Sequence, residues 1–195
     1  MQDLNFSIFE LLNGLSHYDF IAQISPILAD FPILFLPVFL SWMWIYFALT
    51  HGNSDKKKGL LHIFYACVVW IIFSYIIKQF VDIERPDMYL ESTKNMILNR
   101  IPEKSFPSDH ATVSFAFLTA LFYGWYKKVG YVFLPFVLMM NISRIIVGVH
   151  WPLDIFVWTL LWILSASIFF LYFKELKLVK QLNSFIIQVV SYIKL

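Results

Sequence analysis

The chain has 195 residues, of which 59% are hydrophobic, 19% aromatic and 14% charged, and its mean hydropathy is +0.69. A soluble domain is about half apolar and about a quarter charged, so these proportions exclude an ordinary soluble globule and point to a single bundle of membrane helices. A formal net charge of +2, with no basic stripe interleaved with aromatics, gives no reason to expect a nucleic-acid partner.

Met1-Gln2-Asp3-Leu4 lacks a positive n-region, so no cleaved secretory leader is expected. In residues 4–24, Leu4, Ile8, Leu11, Leu12 and Leu15 fall at helical spacing before Asn13, Gly14, Ser16, His17 and Asp19 break the pattern. The segment, roughly 1–25, reads as an interfacial helix lying on the membrane; a sixth span is the competing reading. A spanning helix needs about 20 mostly apolar residues, and five segments come close. They are 27–49, with Asp30 near its start and Pro32 and Pro37 inside; 60–77; 111–126, which is short and begins near Ser108; 129–147; and 153–173. Residues 181–193 form a second amphipathic segment. The expected fold is an all-α integral membrane helical bundle, one domain over 1–195, with about five transmembrane helices. The single cysteine, Cys67, rules out an intramolecular disulfide and a cysteine-based metal site, and reads as a small core residue.

Orientation follows from lysine and arginine in the short connections. Lys56-Lys57-Lys58, then Lys127-Lys128, then the tail lysines 174, 177, 180 and 194 all fall on one side of a five-span chain. That side is expected to be cytoplasmic. The other side carries Lys78, Arg85, Lys94, Arg100, Lys104 and Arg144.

Three polar clusters converge on that second, extracytoplasmic side. Ionisable groups near lipid are costly and by default mark function. The first cluster runs from Lys78 to Arg85-Pro86. The two cations are seven residues apart, and Pro86 discourages a helix from continuing through Arg85. A guanidinium there suits two phosphate oxygens and a lysine adds a point charge; two snorkelling cations beside Asp82 and Glu84 are the alternative. The second is Pro107-Ser108-Asp109-His110. Ser108 is a natural helix N-cap, the free N–H groups of the following turn suit an anion, and His110 is placed to protonate a leaving oxygen. An ordinary cap with an interfacial histidine would look the same. In the third, Ser143-Arg144 precedes His150, with Asp154 four residues further on and Pro152 in the first turn of the last span. A carboxylate beside an imidazole fixes its tautomer and stabilises the cation formed on attack; a structural His–Asp pair is the alternative.

Together these residues resemble the type 2 phosphatidic acid phosphatase superfamily, whose signature is K-x6-R-P, P-S-G-H and S-R-x5-H-x3-D. The resemblance covers about 80–155 in detail. It implies that His150 is the nucleophile, forming a phosphohistidine; that Asp154 orients it; and that His110 protonates the leaving group and then helps activate water. Lys78, Arg85, Ser108 and Arg144 would bind the phosphate. The family needs no metal or other cofactor, although Asp82, Glu84 and Asp87 are nearby carboxylates that leave a metal open. One position departs from the pattern: Asp109 stands where the signature has glycine. The string Phe106-Pro107-Ser108-Asp109-His110-Ala111 resembles the bacterial undecaprenyl-diphosphatase, or bacitracin-resistance, branch.

That resemblance implies a polyprenyl diphosphate or another phosphorylated lipid as substrate, Asp109 at the phosphate site or at its mouth, and a multi-pass protein of the bacterial cytoplasmic membrane. Phosphatidylglycerophosphate and lipid A phosphatases share the site. A non-enzymatic lipid-binding or transport protein is the reading from a different class; no internal repeat supports it. Residues 86–107 are expected to form an extracytoplasmic loop over the head group, with Met88, Tyr89 and Met96 on an apolar side and Lys94, Arg100 and Lys104 drawing in anions.

Overall fold

A computed structural model describes residues 2–50, 54–81, 83–86, 105–124 and 126–192. The expected loop over the site therefore lies mostly outside the described residues. Those residues form helices α1 (Gln2–Asn13), α2 (Asp19–Leu49), α3 (Ser54–Lys78), α4 (Asp109–Tyr123), α5 (Lys127–Ile146), α6 (Pro152–Leu171) and α7 (Lys177–Tyr192), with 3₁₀ turns at Gly14–His17 and Phe173–Glu175. The all-α bundle is as expected. By length and composition, α2, α3, α5 and α6 with its 3₁₀ extension are able to cross a membrane.

α4, the expected third span, has only 15 residues. That is about 22 Å at 1.5 Å per residue, short of a hydrocarbon core of about 30 Å. It occupies the centre of the bundle instead. Residues 114–121 are buried all round, and Ala111, Ala116 and Ala120 have no exposed surface. Small residues let α3, α5 and α6 close around it.

The first span begins earlier than its apolar run suggests, at Asp19 rather than near residue 27. The residue that breaks the preceding amphipathic pattern is the one that favours a helix start, because an acidic side chain in the first turn complements the helix dipole. Over 31 residues α2 buries one stripe, including Ala29, Asp30, Leu36, Met43 and Phe47, and leaves Ile27, Phe31, Leu34, Val38 and Trp42 exposed as a lipid-facing side.

The interfacial segment thus shortens to α1 and the turn after it. At 12 residues, about 18 Å, α1 is too short to cross. It is pinned where α5 hands over to α6. Asn13 Nδ2 donates to the Ile146 carbonyl at 2.8 Å, and Asn5 Oδ1 accepts from Leu153 N at 2.9 Å. Phe9, 8% exposed, packs its ring 5.1 Å from that of Trp151.

Two apolar clusters fill the bundle. One joins α2, α3, α4 and α6 through Leu36, Met43, Ile63, Cys67, Phe117 and Phe170. The other joins α1, α4, α5 and α6 through Phe9, Phe115, Val137, Ile155, Trp158 and Trp162, and lies under the polar clusters. Cys67 is buried in the first, as its sequence context predicts.

Candidate active site

The end of α3, the start of α4, the end of α5 and the start of α6 meet at one end of the bundle, and each brings one element of the three motifs. Ser108, fully buried, caps α4 by accepting from Ala111 N at 3.4 Å, which puts Asp109 and His110 in the first turn. Lys78, in the last turn of α3, reaches across to Asp109 Oδ2 at 2.5 Å, while Ser74 Oγ donates to Asp109 Oδ1 at 2.7 Å. Both carboxylate oxygens of Asp109 are therefore held by α3.

Past α3 the chain leaves the helix, and Arg85 turns inward to 8% exposure. Its Nη1 donates to the Val149 carbonyl at 2.5 Å, and the neighbouring Glu84 carbonyl accepts from Trp151 Nε1 at 3.0 Å. These bonds fasten the first motif to the third. Burial, reinforced by the Arg144 charge, lowers the Arg85 pKa to about 10. It remains a cation at neutral pH.

Arg144, in the last turn of α5, is 4% exposed. The chain reverses four residues later because Gly148 adopts φ 78°, a left-handed conformation that side-chain-bearing residues rarely take. Val149 N then bonds back to the Arg144 carbonyl at 3.1 Å, and His150 follows, 2% exposed. Burial, and then the charges of Arg144 and Arg85, hold the His150 imidazole well below its ordinary pKa. It is neutral at neutral pH, with a lone pair available for attack.

Asp154 meets His150 through a third residue. Asp154 Oδ2 accepts from Trp151 N at 3.1 Å and from the hydroxyl of Ser105, whose Oγ lies 3.5 Å from His150 Nδ1. The hydroxyl hydrogen goes to Asp154, so its oxygen faces the imidazole as an acceptor. That arrangement favours hydrogen on Nδ1 and leaves Nε2 as the nitrogen with a lone pair. Ser105 is itself fixed by its N–H donating to the Ile83 carbonyl at 2.7 Å.

The second imidazole also has a carboxylate beside it. His110 Nε2 lies 3.3 Å from Asp30 Oδ1, and the same oxygen accepts from Arg144 Nη1 at 2.7 Å. Asp30 comes from α2 and has no exposed surface. Arg144 Nε is buried with no partner among the described residues. An unpaired guanidinium N–H beside a neutral imidazole suits an incoming phosphate oxygen.

All eight residues singled out from the sequence thus fall in one neighbourhood. Three more were missed. Asp30 carried a signal, a carboxylate within an apolar run, in register with the stripe that α2 buries. Ser74 and Ser105 carried none, since a lone serine in a span or before a turn is commonplace.

Cations around a neutral imidazole, in a helical membrane bundle, are the groups that phosphoryl transfer calls for. The PAP2 superfamily profile matches residues 59–178, and the chain belongs to that superfamily. Among individual relatives, it is 27% identical over 153 residues to the undecaprenyl-diphosphatase BcrC of Bacillus subtilis, covering 78% of this chain and 75% of that protein. It is 28% identical over 186 residues to a protein of Bacillus licheniformis named bacitracin transport permease BcrC, covering 93% and 87%. To YbjG of Escherichia coli, a putative undecaprenyl-diphosphatase by name, it is 27% identical, covering 79% and 75%. In structure it resembles LpxE of Aquifex aeolicus with a TM-score of 0.63 and 25% identity, covering 87% of this chain and 96% of that one. The chain is a multi-pass membrane hydrolase, a lipid phosphatase of the PAP2 type.

Proposed function

We propose that the protein removes the terminal phosphate of undecaprenyl diphosphate, at the extracytoplasmic face of a bacterial cytoplasmic membrane, and so regenerates the monophosphate lipid carrier. The observation that carries this choice of lipid is Asp109 at the motif's glycine position, in a chain similar to two proteins whose names give that activity. A carboxylate there would repel phosphate if it were free. Held by Lys78 and Ser74, its charge is compensated, and Asp109 serves the phosphate site by fixing Lys78 between α3 and α4.

In the proposed reaction His150 Nε2 attacks the terminal phosphorus. The bond from phosphorus to the bridging oxygen breaks, and its electron pair goes to that oxygen, which takes a proton from His110. Water then gives a proton to His110 and attacks phosphorus; the phosphorus–nitrogen bond breaks and its pair returns to His150. Lys78, Arg85, Arg144 and the first turn of α4 after Ser108 hold the equatorial oxygens, where stabilisation contributes most in phosphoryl transfer. Asp154 orients His150 by way of Ser105. No step calls for a metal.

Lipid A phosphatase is the second reading, supported by the structural likeness to LpxE. The test is phosphate release by purified protein in detergent with EDTA, comparing undecaprenyl diphosphate, phosphatidylglycerophosphate and a lipid A 1-phosphate. The proposal expects the polyprenyl diphosphate to be preferred. Preference for another lipid would discard the substrate and keep the site; no release from any would return the chain to the lipid-binding alternative or to a metal requirement.

A further inference from the structure

Asp30 lies outside the three motifs and outside residues 59–178, where the superfamily profile matches. Yet it is the buried charge on which two motif residues converge. Its side chain has 0% exposure, against 5% for that of Arg144 and 12% for that of His110. An ionised carboxylate in a membrane bundle is costly unless paired and hydrogen-bonded. One guanidinium would suffice for pairing. Here the oxygen that accepts from Arg144 at 2.7 Å is also the one 3.3 Å from His110 Nε2, so a single atom is bonded to the α5 cation and faces the α4 imidazole, whose Nε2 is buried and makes no hydrogen bond among the described residues. The longer contact is of the kind that tightens when substrate binds.

The site then has two imidazole–carboxylate arrangements of different character. His150 reaches Asp154 through a hydroxyl, and burial, then the charges of Arg144 and Arg85, keep it neutral for attack. His110 faces a carboxylate directly: burial and then the Arg144 charge lower its pKa to about 4, and Asp30 opposes them, favouring the protonated ring that a proton donor needs. The groups facing His110 are Asp30 from α2, Arg144 from α5 and Asp109 from its own helix.

We propose that Asp30 is a positioning residue for the phosphatase reaction: it holds His110 as the proton donor and aims Arg144 at the phosphate. The proposal rests on the phosphatase reading. During the first step the proton leaves His110 for the leaving oxygen while Asp30 stays ionised against Arg144; during the second, His110 regains a proton from water beside the same carboxylate. Asp30 touches no reacting atom and changes no protonation state.

The test compares two leaving groups. An alkyl phosphate lipid expels an alkoxide and needs the proton; a nitrophenyl phosphate carrying a short alkyl chain expels a stable phenolate and does not. Asp30→Asn is expected to lower kcat on the alkyl ester by about 100-fold or more, the usual scale of general-acid catalysis, and on the nitrophenyl ester by less than about fivefold, a remainder for the misaimed Arg144. His110→Ala should show the same bias, and the double variant should be no slower than His110→Ala alone, since the two act as a unit. Where Asp30→Asn does not purify as a monodisperse protein, Asp30→Glu keeps the charge one methylene out of place and is expected to show the same bias with a smaller loss. Equal losses on the two esters, or losses that multiply with those of His110→Ala, would overturn the role of Asp30 and leave the phosphatase reading standing. Wild-type protein inactive on both esters and on undecaprenyl diphosphate would overturn the two together.

Discussion

The two ends of the bundle use the same kinds of residue under different solvation. At one end, Arg85, Arg144, His150, Asp30 and Asp154 are each at most 8% exposed, and each is held by a named partner. At the other, Lys58 pairs with Asp55 at 3.0 Å with side chains 41% and 56% exposed, and Lys180 pairs with Glu175 at 2.8 Å in the open. A cavity of about 800 Å³ there is lined by Lys58, Lys127, Lys174 and Lys180, with His62 and Asn183. Exposed pairs are screened and contribute little; buried charges cannot relax into water, so their geometry is fixed and their chemistry altered. Burial is what separates the constellation proposed as catalytic from the open, lysine-rich end.

Breaking the buried end should cost the most. His150→Ala is expected to lower phosphate release by at least about a thousandfold, the scale seen when a covalent nucleophile is removed, while gel filtration and thermal unfolding in detergent stay unchanged; retained turnover would remove His150 as nucleophile. Asp154→Asn is expected to lower kcat by about 100-fold or more with lipid binding kept, because it disturbs the orientation of His150 more than any contact to substrate; a rise in KM at unchanged kcat would contradict that.

The pH dependence sharpens the contrast. His150 is held well below the ordinary imidazole pKa of about 6.5 by burial and by two guanidiniums. Activity of the free enzyme should therefore not lose its nucleophile on the acid side until the pH is well under 6.5. Stability moves the same way: below about 6.5 the unfolded chain binds a proton at this position that the folded chain does not, so the fold is weakened as pH falls. An acid limb in kcat/KM at or above 6.5 that is assigned to His150 by mutation would contradict the burial argument. At the exposed end Lys58→Ala should do least, leaving phosphate release unchanged and costing about 1 kcal/mol or less in stability.

Much of this was legible in the sequence because membrane chains are compositionally strict. A cation, an imidazole or a carboxylate beside an apolar run stands out, but the spacings do not carry their geometry: the chain leaves the helix between Lys78 and Arg85, and His150 meets Asp154 through Ser105. Helix α4 was legible as an element but too short for a span, because small residues let it sit inside the bundle rather than against lipid. The start of α2 was misplaced because hydrophobicity marks the membrane, whereas a helix starts where its first turn is compensated. Ser105 and Ser74 were invisible because their roles exist only across long separations in the chain, Ser105 to Asp154 and Ser74 to Asp109. Asp30 was visible as a charge in a span, but its partners His110 and Arg144 lie on helices that only folding brings together.

The most direct test of the central claim, that the buried end performs phosphoryl transfer through His150, is to quench a single turnover of lipid labelled with ³²P on its terminal phosphate and examine the protein. Label is expected on the wild-type chain, lost in acid, stable in base, mapped to the peptide holding His150 and absent from His150→Ala. Full turnover with no label on the protein at any quench time, together with label-free but active His150→Ala, would contradict it.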